Sequence, residues 1–211
     1  MTQYTFVGDI HGKIEQVQRA LENDGIIIFV GDFMDSFDRT VEDHEACLKT
    51  VLNAIDKGKA QAVFGNHELS YIYGQHKCSG WDMDRKIMFS RYKQEILSKF
   101  KWVIELPDKW LITHAGLHPK VQALIHRPTY DGWCEDLRSS AHWIGQWRGG
   151  MNVVGGIFWC DFNTEFKPVY GINQVFGHTS GKTIRKLEIP GSINYCIDCL
   201  DHKHEFLTLE I

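Results

Sequence analysis

The chain has 211 residues and a formal net charge of −4, with 43% hydrophobic and 24% charged residues. This length can bury one good hydrophobic core, so we expect a single domain over residues 1–211. The composition is that of a soluble globular protein. The negative net charge supplies no overall positive field, so we expect no stable nucleic-acid binding, although a local cluster of cations or metals could hold a nucleotide.

No feature of the sequence indicates export or a membrane. The N-terminal residues lack the pattern of a secretory signal, and no apolar run approaches the roughly 20 residues that span a bilayer. Six cysteines without a signal indicate reduced thiols in a cytoplasmic protein. Cys196 and Cys199 have a spacing seen in zinc and redox sites, but they are interpreted as packed residues of a strand.

Strand and helix signals alternate over the first half of the chain. The predicted elements are a strand at 4–7, a helix at 13–21, a strand at 26–30, a helix at 40–57 and a strand at 60–64. This order implies a parallel sheet with right-handed crossovers. The strand at 26–30 is apolar at every position, which predicts that it is covered on both faces. Asp38 fits the N-cap of the second helix.

The second half of the chain predicts a more antiparallel arrangement. A helix at 83–100 is followed by paired strands at 102–106 and 110–113 and by an irregular or helical region at 119–151. Short strand signals then appear at 169–176, 183–189, 193–197 and 204–209.

Metal-competent side chains follow the apolar strands, each beside a glycine. They are Asp9 and His11, then Asp32, Asn66, His114 and His178. Taken singly, each has an ordinary structural interpretation as a helix N-cap, a turn residue or a hydrogen-bonded histidine. Together they favour a metal site, because carboxylate, imidazole and amide-oxygen ligands suit Mn²⁺, Fe²⁺ or Zn²⁺.

Asp32 is the natural bridge between two ions, because its strand lies centrally in the expected sheet order. Two ions about 3.5–4 Å apart hold a hydroxide between them and neutralise the charge on a phosphoryl group during in-line displacement. The predicted reaction is therefore hydrolysis of a phosphoester.

Five short motifs in order, GDIHG, GDFMD, GNHE, HAG and GHT, resemble those of the calcineurin-like metallophosphoesterases. Within that superfamily they resemble the branch of phosphoprotein phosphatases and diadenosine tetraphosphate hydrolases. The segment FWCD at 158–161 is similar to a Trp-Ser-Asp segment of protein phosphatases. The resemblance implies an α/β fold in which two mixed β-sheets pack as a sandwich with helices on the outer faces.

The resemblance also assigns roles to residues. Asp9, His11 and Asp32 would hold the first metal, and Asp32, Asn66, His114 and His178 the second. The metals expected are two divalent ions, Mn²⁺ first, with Fe, Zn or Ni as alternatives. His67 matches the acid that protonates the leaving oxygen, and Asp35 matches the carboxylate that orients it. A neighbouring carboxylate keeps a histidine charged and able to donate.

Two phosphate-binding arginines are missing from their family positions. Many protein phosphatases have Arg where this chain has Ser36, and no Arg follows the GNHE motif closely. Arg39 and Arg148 are the substitutes we consider, each with the alternative of an exposed charge. Trp133, Trp143 and Trp147 could stack on a base, although packing is the ordinary role of such side chains.

The predicted function is a serine/threonine-type protein phosphatase acting by attack of a metal-bridging hydroxide on phosphorus. The alternative is hydrolysis of diadenosine tetraphosphate or another nucleotide, which the missing arginines and the Trp-rich region favour. The partner is accordingly a phosphorylated protein or a nucleotide, with no membrane. A non-catalytic binding protein of the same fold is disfavoured, because the metal set, His67 and Asp35 are all present.

Overall fold

The computed structural model of the protein describes residues 1–74, 76–124 and 130–211. Its strands form two mixed sheets. The first has the order β3-β2-β1-β9, with β1 at Gln3–Val7, β2 at Ile26–Phe29, β3 at Ala60–Ala62 and β9 at Leu207–Glu210. The second has the order β4-β5-β6-β8-β7, with β4 at Ile104–Leu106, β5 at Trp110–Ile112, β6 at Asn173–Phe176, β7 at Arg185–Ile189 and β8 at Ser192–Cys196.

The helices alternate with the strands of the first sheet and then cluster between β3 and β6. They are α1 at Ile14–Leu21, α2 at Val41–Asp56, α3 at Asn66–Tyr73, α4 at Met83–Lys99, α5 at Pro119–Gln122 and α6 at Tyr130–Ser139. Short 3₁₀ helices cover Ser140–His142 and Gln146–Arg148. Among the described residues, no helix combines the length and the hydropathy that crossing a membrane requires.

Parallel pairing dominates the centre of each sheet. β1 pairs in parallel with β2, and β2 with β3, while β9 is antiparallel to β1. In the second sheet β5, β6 and β8 run parallel, and the outer strands β4 and β7 are antiparallel to their neighbours. The carboxyl ends of the parallel strands in each sheet therefore lie at one edge, where α/β sheets place their sites.

Strand β2 shows why its run of residues is apolar throughout. Ile28 and Val30 belong to a buried cluster shared with Ile112 and Val175 of the second sheet. Ile27 and Phe29 belong instead to a cluster with residues of α1 and α2. Because successive side chains of a strand point to opposite faces, one face meets the other sheet and one meets the helices. The predicted sandwich of two mixed sheets with helices is confirmed.

The N-terminus of α2 differs from the prediction. Thr40, not Asp38, is the N-cap: its hydroxyl accepts from the Asp43 N–H at 3.2 Å, and the Asp43 carboxylate accepts from the Thr40 N–H at 2.9 Å. Asp38 instead accepts from the hydroxyl of Ser36. The reciprocal pair satisfies two N–H groups, which Asp38 could not do from a position two residues earlier.

Two local features also depart from expectation. α3 begins at Asn66, directly after Gly65, and its C-cap is Gly74, which has a φ of 68°; the sequence did not predict a helix there. Cys196 is the last residue of β8, but Cys199 lies in the loop beyond it, so its assignment to a strand was wrong. Both cysteines are buried and free.

Candidate functional site

The predicted metal residues converge at the carboxyl ends of the parallel strands. Those that line a cavity of about 480 Å³, here called the larger cavity, are Asp9, His11, Asp32, Asn66 and His178. His114 is fully buried beneath them. Residues far apart in the sequence thus meet because β1, β2, β3, β5 and β6 all end at this edge.

One compact group of candidate ligands joins the two sheets. The Nε2 atom of His114 lies 3.2 Å from Oδ2 of Asp32 and 2.8 Å from Oδ1 of Asn66. Nδ1 of His178 lies 2.9 Å from the same Asn66 oxygen and 3.1 Å from His114 Nε2. These are the four residues predicted for the second metal.

A second compact group lies on the other side of Asp32. Oδ2 of Asp32 is 4.0 Å from Nε2 of His11 and 3.9 Å from Nε2 of His67. The carboxylate of Asp9 lines the same cavity and accepts the N–H of His178, with both oxygens at 3.1 Å. The donor atoms of Asp32, His11 and His67 lie within 4.8 Å of one another, as do those of Asp32, His114 and His178. Asp32 is the member common to both groups.

The histidine ring orientations fit a bound cation. Nδ1 of His114 faces the carbonyl of Val30 at 2.8 Å, and Nδ1 of His11 faces the carbonyl of Met34 at 2.8 Å. A carbonyl can only accept, so these Nδ1 atoms carry protons and, in neutral rings, Nε2 presents a lone pair. Asn66 donates its Nδ2 to Cys78 Sγ at 3.2 Å, which turns its oxygen toward His114. The lone pairs therefore converge where a divalent ion would bind.

Burial and mutual repulsion dominate the electrostatics of the site. Burial, with the carboxylates of Asp198 and Asp32, raises the pKa of Asp9 well above its usual range. Asp32 is buried too, yet His114 and His67 hold its pKa well below the usual range. Burial, together with the neighbouring charge on His67, lowers the pKa of His11 to about 4. A cation bound among these groups would relieve the repulsion between carboxylates.

His67, which lines the larger cavity, forms a hydrogen-bonded pair with the buried Asp35. Nδ1 of His67 lies 2.8 Å from Oδ2 of Asp35, and the hydroxyl of Tyr71 donates to the other oxygen of Asp35. Burial opposes a charge on His67, but Asp32 and Asp35 outweigh it and raise its pKa. Nδ1 donates to Asp35, so the proton on Nε2 is the one available to another group.

Glu68 and Tyr71 are site residues that sequence reasoning missed. Glu68 is fully buried, and its carboxylate accepts four backbone N–H groups, those of Asp32, Gly65, Phe33 and Met34, at 2.9–3.1 Å. It thereby holds the loops that carry Asp32 and Asn66 against each other. A Glu at the third position of a helix is a capping signal, and Tyr71 stands one helical turn after His67, on the same face.

The backbone at the site adopts conformations that side chains rarely take. The φ angles are 45° at His11, 53° at Asp32, 65° at Asp35 and 68° at His178. Each such residue in the left-handed region costs about 1–3 kcal/mol, so the conformation persists only because the surrounding structure enforces it. Gly65 is required beside them, because a Cβ there would lie 2.0 Å from Oδ1 of Asp32.

The two candidate arginines occupy different environments. Arg148 lines the larger cavity, where its Nη2 lies 2.9 Å from the carboxylate of Asp161. Arg39 binds Glu15 at 2.7 Å and is not among the residues that line the larger cavity. A phosphate bound in the larger cavity could therefore contact Arg148 where it already lies.

The tryptophans divide in a similar way. Trp159 lines the larger cavity, with its ring centroid 6.0 Å from that of His178. Trp143 packs against the core, and Trp147 is 71% exposed. The side chain of Trp133 lies outside the described residues.

Both the sequence and the fold resemble those of known proteins. A family model described as calcineurin-like phosphoesterase matches residues 2–181. The chain is 29% identical over 127 residues to the symmetrical bis(5'-nucleosyl)-tetraphosphatase of Mannheimia succiniciproducens, covering 54% of this chain and 44% of that protein. It is 25% identical over 194 residues to the serine/threonine-protein phosphatase 4 catalytic subunit of Candida glabrata, covering 82% and 61%. The chain thus spans about half the length of these curated relatives.

Solved structures share the fold at low identity. A cold-active protein-tyrosine phosphatase of a psychrophilic Shewanella superposes with a TM-score of 0.65 at 17% identity, covering 100% of this chain and 76% of that one. A serine/threonine phosphatase of Saccharomyces cerevisiae superposes with a TM-score of 0.51 at 16% identity, covering 95% and 69%. These matches agree with the two mixed sheets and helices described above.

Proposed function

Because the chain belongs to the calcineurin-like phosphoesterase family, we propose that it is a binuclear-metal phosphoester hydrolase, specifically a serine/threonine-type protein phosphatase. The observation that carries the reaction class is the position of Asp32. Its carboxylate is common to two groups of ligand atoms, and the pair of His67 and Asp35 stands beside it.

The residues proposed to hold two divalent ions surround Asp32; His67, although its donor atom lies near that of His11, is kept as the acid and is not a proposed ligand. Asp9, His11 and Asp32 would hold one ion, and Asp32, Asn66, His114 and His178 the other. When bound, the ions would neutralise phosphoryl charge and activate the attacking water. Mn²⁺ is the ion we propose, with Fe, Zn or Ni as alternatives, because the ligand set combines oxygen with imidazole nitrogen.

The chain's own residues would manage the proton and the phosphate. His67 gives its Nε2 proton to the leaving oxygen as the bond to phosphorus breaks. Asp35 stabilises the charged ring through its 2.8 Å hydrogen bond, and Tyr71 holds Asp35 in place. Arg148 would bind the phosphate oxygens from the wall of the larger cavity.

The phosphatase assignment is supported by coverage, since the match to the Candida glabrata phosphatase extends over 82% of this chain. Diadenosine tetraphosphate or another nucleotide is the second candidate substrate. It is favoured by the match to a bis(5'-nucleosyl)-tetraphosphatase and by Trp159 on the cavity wall, which could stack on a base. The single domain over residues 1–211 and the cytoplasmic location stay predictions.

Turnover of a panel of substrates with added Mn²⁺ tests this proposal. A phosphopeptide, diadenosine tetraphosphate, a cyclic nucleotide and p-nitrophenyl phosphate should be compared, and the phosphopeptide should have the highest kcat/KM. Metal analysis of the pure protein should find two ions per chain, and Asp32→Asn should lose both metal and activity. A fully active sample with one ion or none would contradict the binuclear mechanism.

The role of His67 has its own matched test. His67→Asn should keep most of the metal but lower kcat by about 10²–10⁴-fold on a phosphopeptide, whose leaving alcohol needs a proton. The loss should be smaller on p-nitrophenyl phosphate, whose leaving group is stable as an anion. Equal losses on the two substrates would make His67 a structural residue.

A further inference from the structure

A smaller cavity of about 240 Å³ opens beside the acid pair. It shares His11, His67, Ser79 and Asp201 with the larger cavity, so the two cavities are neighbours on either side of these side chains. Its remaining wall includes Asp35 and the loop at 36–38. That loop lies where the family motif has the missing arginine, at Ser36.

The chemistry of the proposed hydrolysis determines what would occupy this smaller cavity. A water oxygen bonds to phosphorus, the bond from phosphorus to the leaving oxygen breaks, and the proton of His67 Nε2 moves to that oxygen. The phosphoryl group must lie over the candidate metal ligands in the larger cavity. The leaving oxygen must therefore lie at His67, and the smaller cavity, which His67 also lines, is the space beside it that can receive the rest of the leaving group.

Phe37 presents an apolar ring to the smaller cavity from a braced loop. It lines the cavity and is 89% exposed. Arg85 donates from Nη2 to the carbonyl of Ser36 at 3.1 Å and to that of Arg39 at 2.8 Å, so the backbone on both sides of Phe37 is held. Because the loop backbone is already ordered, packing a flat or apolar group on the exposed ring requires little further loss of backbone entropy.

The charges around the smaller cavity disfavour an anionic leaving group. Among its described lining residues, Lys13 is the one lysine or arginine, and its Nζ lies 2.7 Å from the Asp201 carboxylate. The charge of His67 is matched by Asp35. Asp38 adds an exposed carboxylate. A leaving nucleoside diphosphate would find only cations that are already paired with carboxylates, Lys13 with Asp201 and His67 with Asp35, to replace its lost hydration.

We propose that the smaller cavity is the leaving-group subsite and that Phe37 selects phosphomonoesters whose leaving alcohol is uncharged and carries an aromatic or bulky apolar group. This inference rests on the proposed phosphoester hydrolysis and deepens it. Among proteins, the expected substrates are phosphorylated side chains that have aromatic or apolar residues next to them. Dinucleoside polyphosphates fall outside it.

Phenethyl phosphate and butyl phosphate form a matched pair, because both release an uncharged primary alcohol and differ in the aromatic ring. The wild-type protein should prefer phenethyl phosphate by about three- to tenfold in kcat/KM, the range expected of one aromatic contact. Phe37→Ala should abolish the preference, and Phe37→Trp should keep it. Tyr170→Ala is the control: Tyr170 is also an aromatic residue, 80% exposed, and it lines neither cavity. It should leave the preference unchanged.

Two further measurements separate this inference from the proposed function. Calorimetric binding of the non-hydrolysable phenethyl and butyl phosphonates to the metal-loaded protein should show the same preference and the same loss in Phe37→Ala, whether or not turnover occurs. Asp38→Lys should raise kcat/KM for diadenosine tetraphosphate relative to butyl phosphate. No turnover of any phosphomonoester, with the phosphonate preference intact, would contradict the proposed function alone. Equal affinity for the two phosphonates, or a preference that survives in Phe37→Ala, would overturn the subsite.

Discussion

Replacing Glu68 by glutamine removes a charged acceptor from the junction of two strand ends. Oε1 of Glu68 accepts the N–H groups of Phe33 and Met34, and Oε2 accepts those of Asp32 and Gly65. Glutamine has nearly the same shape but only one oxygen. Whichever way its amide is turned, one pair of N–H groups faces an NH₂ group instead of an acceptor.

The expected cost follows from that count. Each buried N–H group left without a partner costs about 1–3 kcal/mol, so two of them destabilise the protein by roughly 2–6 kcal/mol. Burial and the carboxylate of Asp32 raise the pKa of Glu68 to about 7, so the wild-type comparison should be made above pH 8, where Glu68 is ionised. Because this folded-state pKa lies above the ordinary value of a glutamate, wild-type stability rises as the pH falls through about 7, so the difference from Glu68→Gln should grow below that pH.

Urea denaturation of the metal-free protein measures this difference without a contribution from bound ions. Glu105→Gln, the same chemical change at an exposed position on β4, is the matched control and should alter the free energy of unfolding by less than about 0.5 kcal/mol. If Glu68→Gln lowers the free energy of unfolding no more than Glu105→Gln does, the hydrogen bonds of Glu68 do not hold the two loops together.

Three further predictions concern single contacts. Tyr71→Phe removes the hydroxyl that donates to Asp35 and should lower kcat on a phosphopeptide by about tenfold, with a smaller loss on p-nitrophenyl phosphate and unchanged metal content; equal losses would speak against positioning of the acid. Thr40→Ala should cost about 1 kcal/mol in thermal unfolding, because it removes the N-cap of α2, whereas Asp38→Ala should cost little. Arg148→Ala should raise KM for phosphoesters, while Arg39→Ala, whose side chain binds Glu15, should leave KM unchanged; the opposite result would return the phosphate contact to Arg39.

The parts of the fold that could be predicted are those that depend on local pattern. The apolar run at 26–30 predicted a strand covered on both faces, and Ile28 and Phe29 of β2 do lie in different clusters. The convergence of Asp32 and Asn66 could be predicted because parallel strands end at one edge of a sheet. In a regular strand, the position of a residue in the sequence determines which face of the sheet it occupies and how near it lies to the strand end.

The parts that could not be predicted depend on a choice between competing local contacts. Asp38 and Thr40 are both good N-cap residues, and the choice was made by Asp43, which can return a hydrogen bond to Thr40 but not to Asp38. Helix α3 was missed for a related reason. The helix has only eight residues, and its first two, Asn66 and His67, belong to the site motif, so the capping signal of Glu68 is the main local sign of a helix there.

The environments of the arginines depend on pairings between residues far apart in the sequence. Arg39 is bound by Glu15 of α1, and the carbonyls on either side of Phe37 are bound by Arg85 of α4. Neither pairing leaves a mark in the spacing of the sequence. Arg85 braces the loop through its backbone carbonyls from outside the smaller cavity. With Ser36 in place of the family arginine, the loop can contact the leaving group in the proposed subsite. The exposed ring of Phe37, next to Ser36, is the side chain that would make this contact.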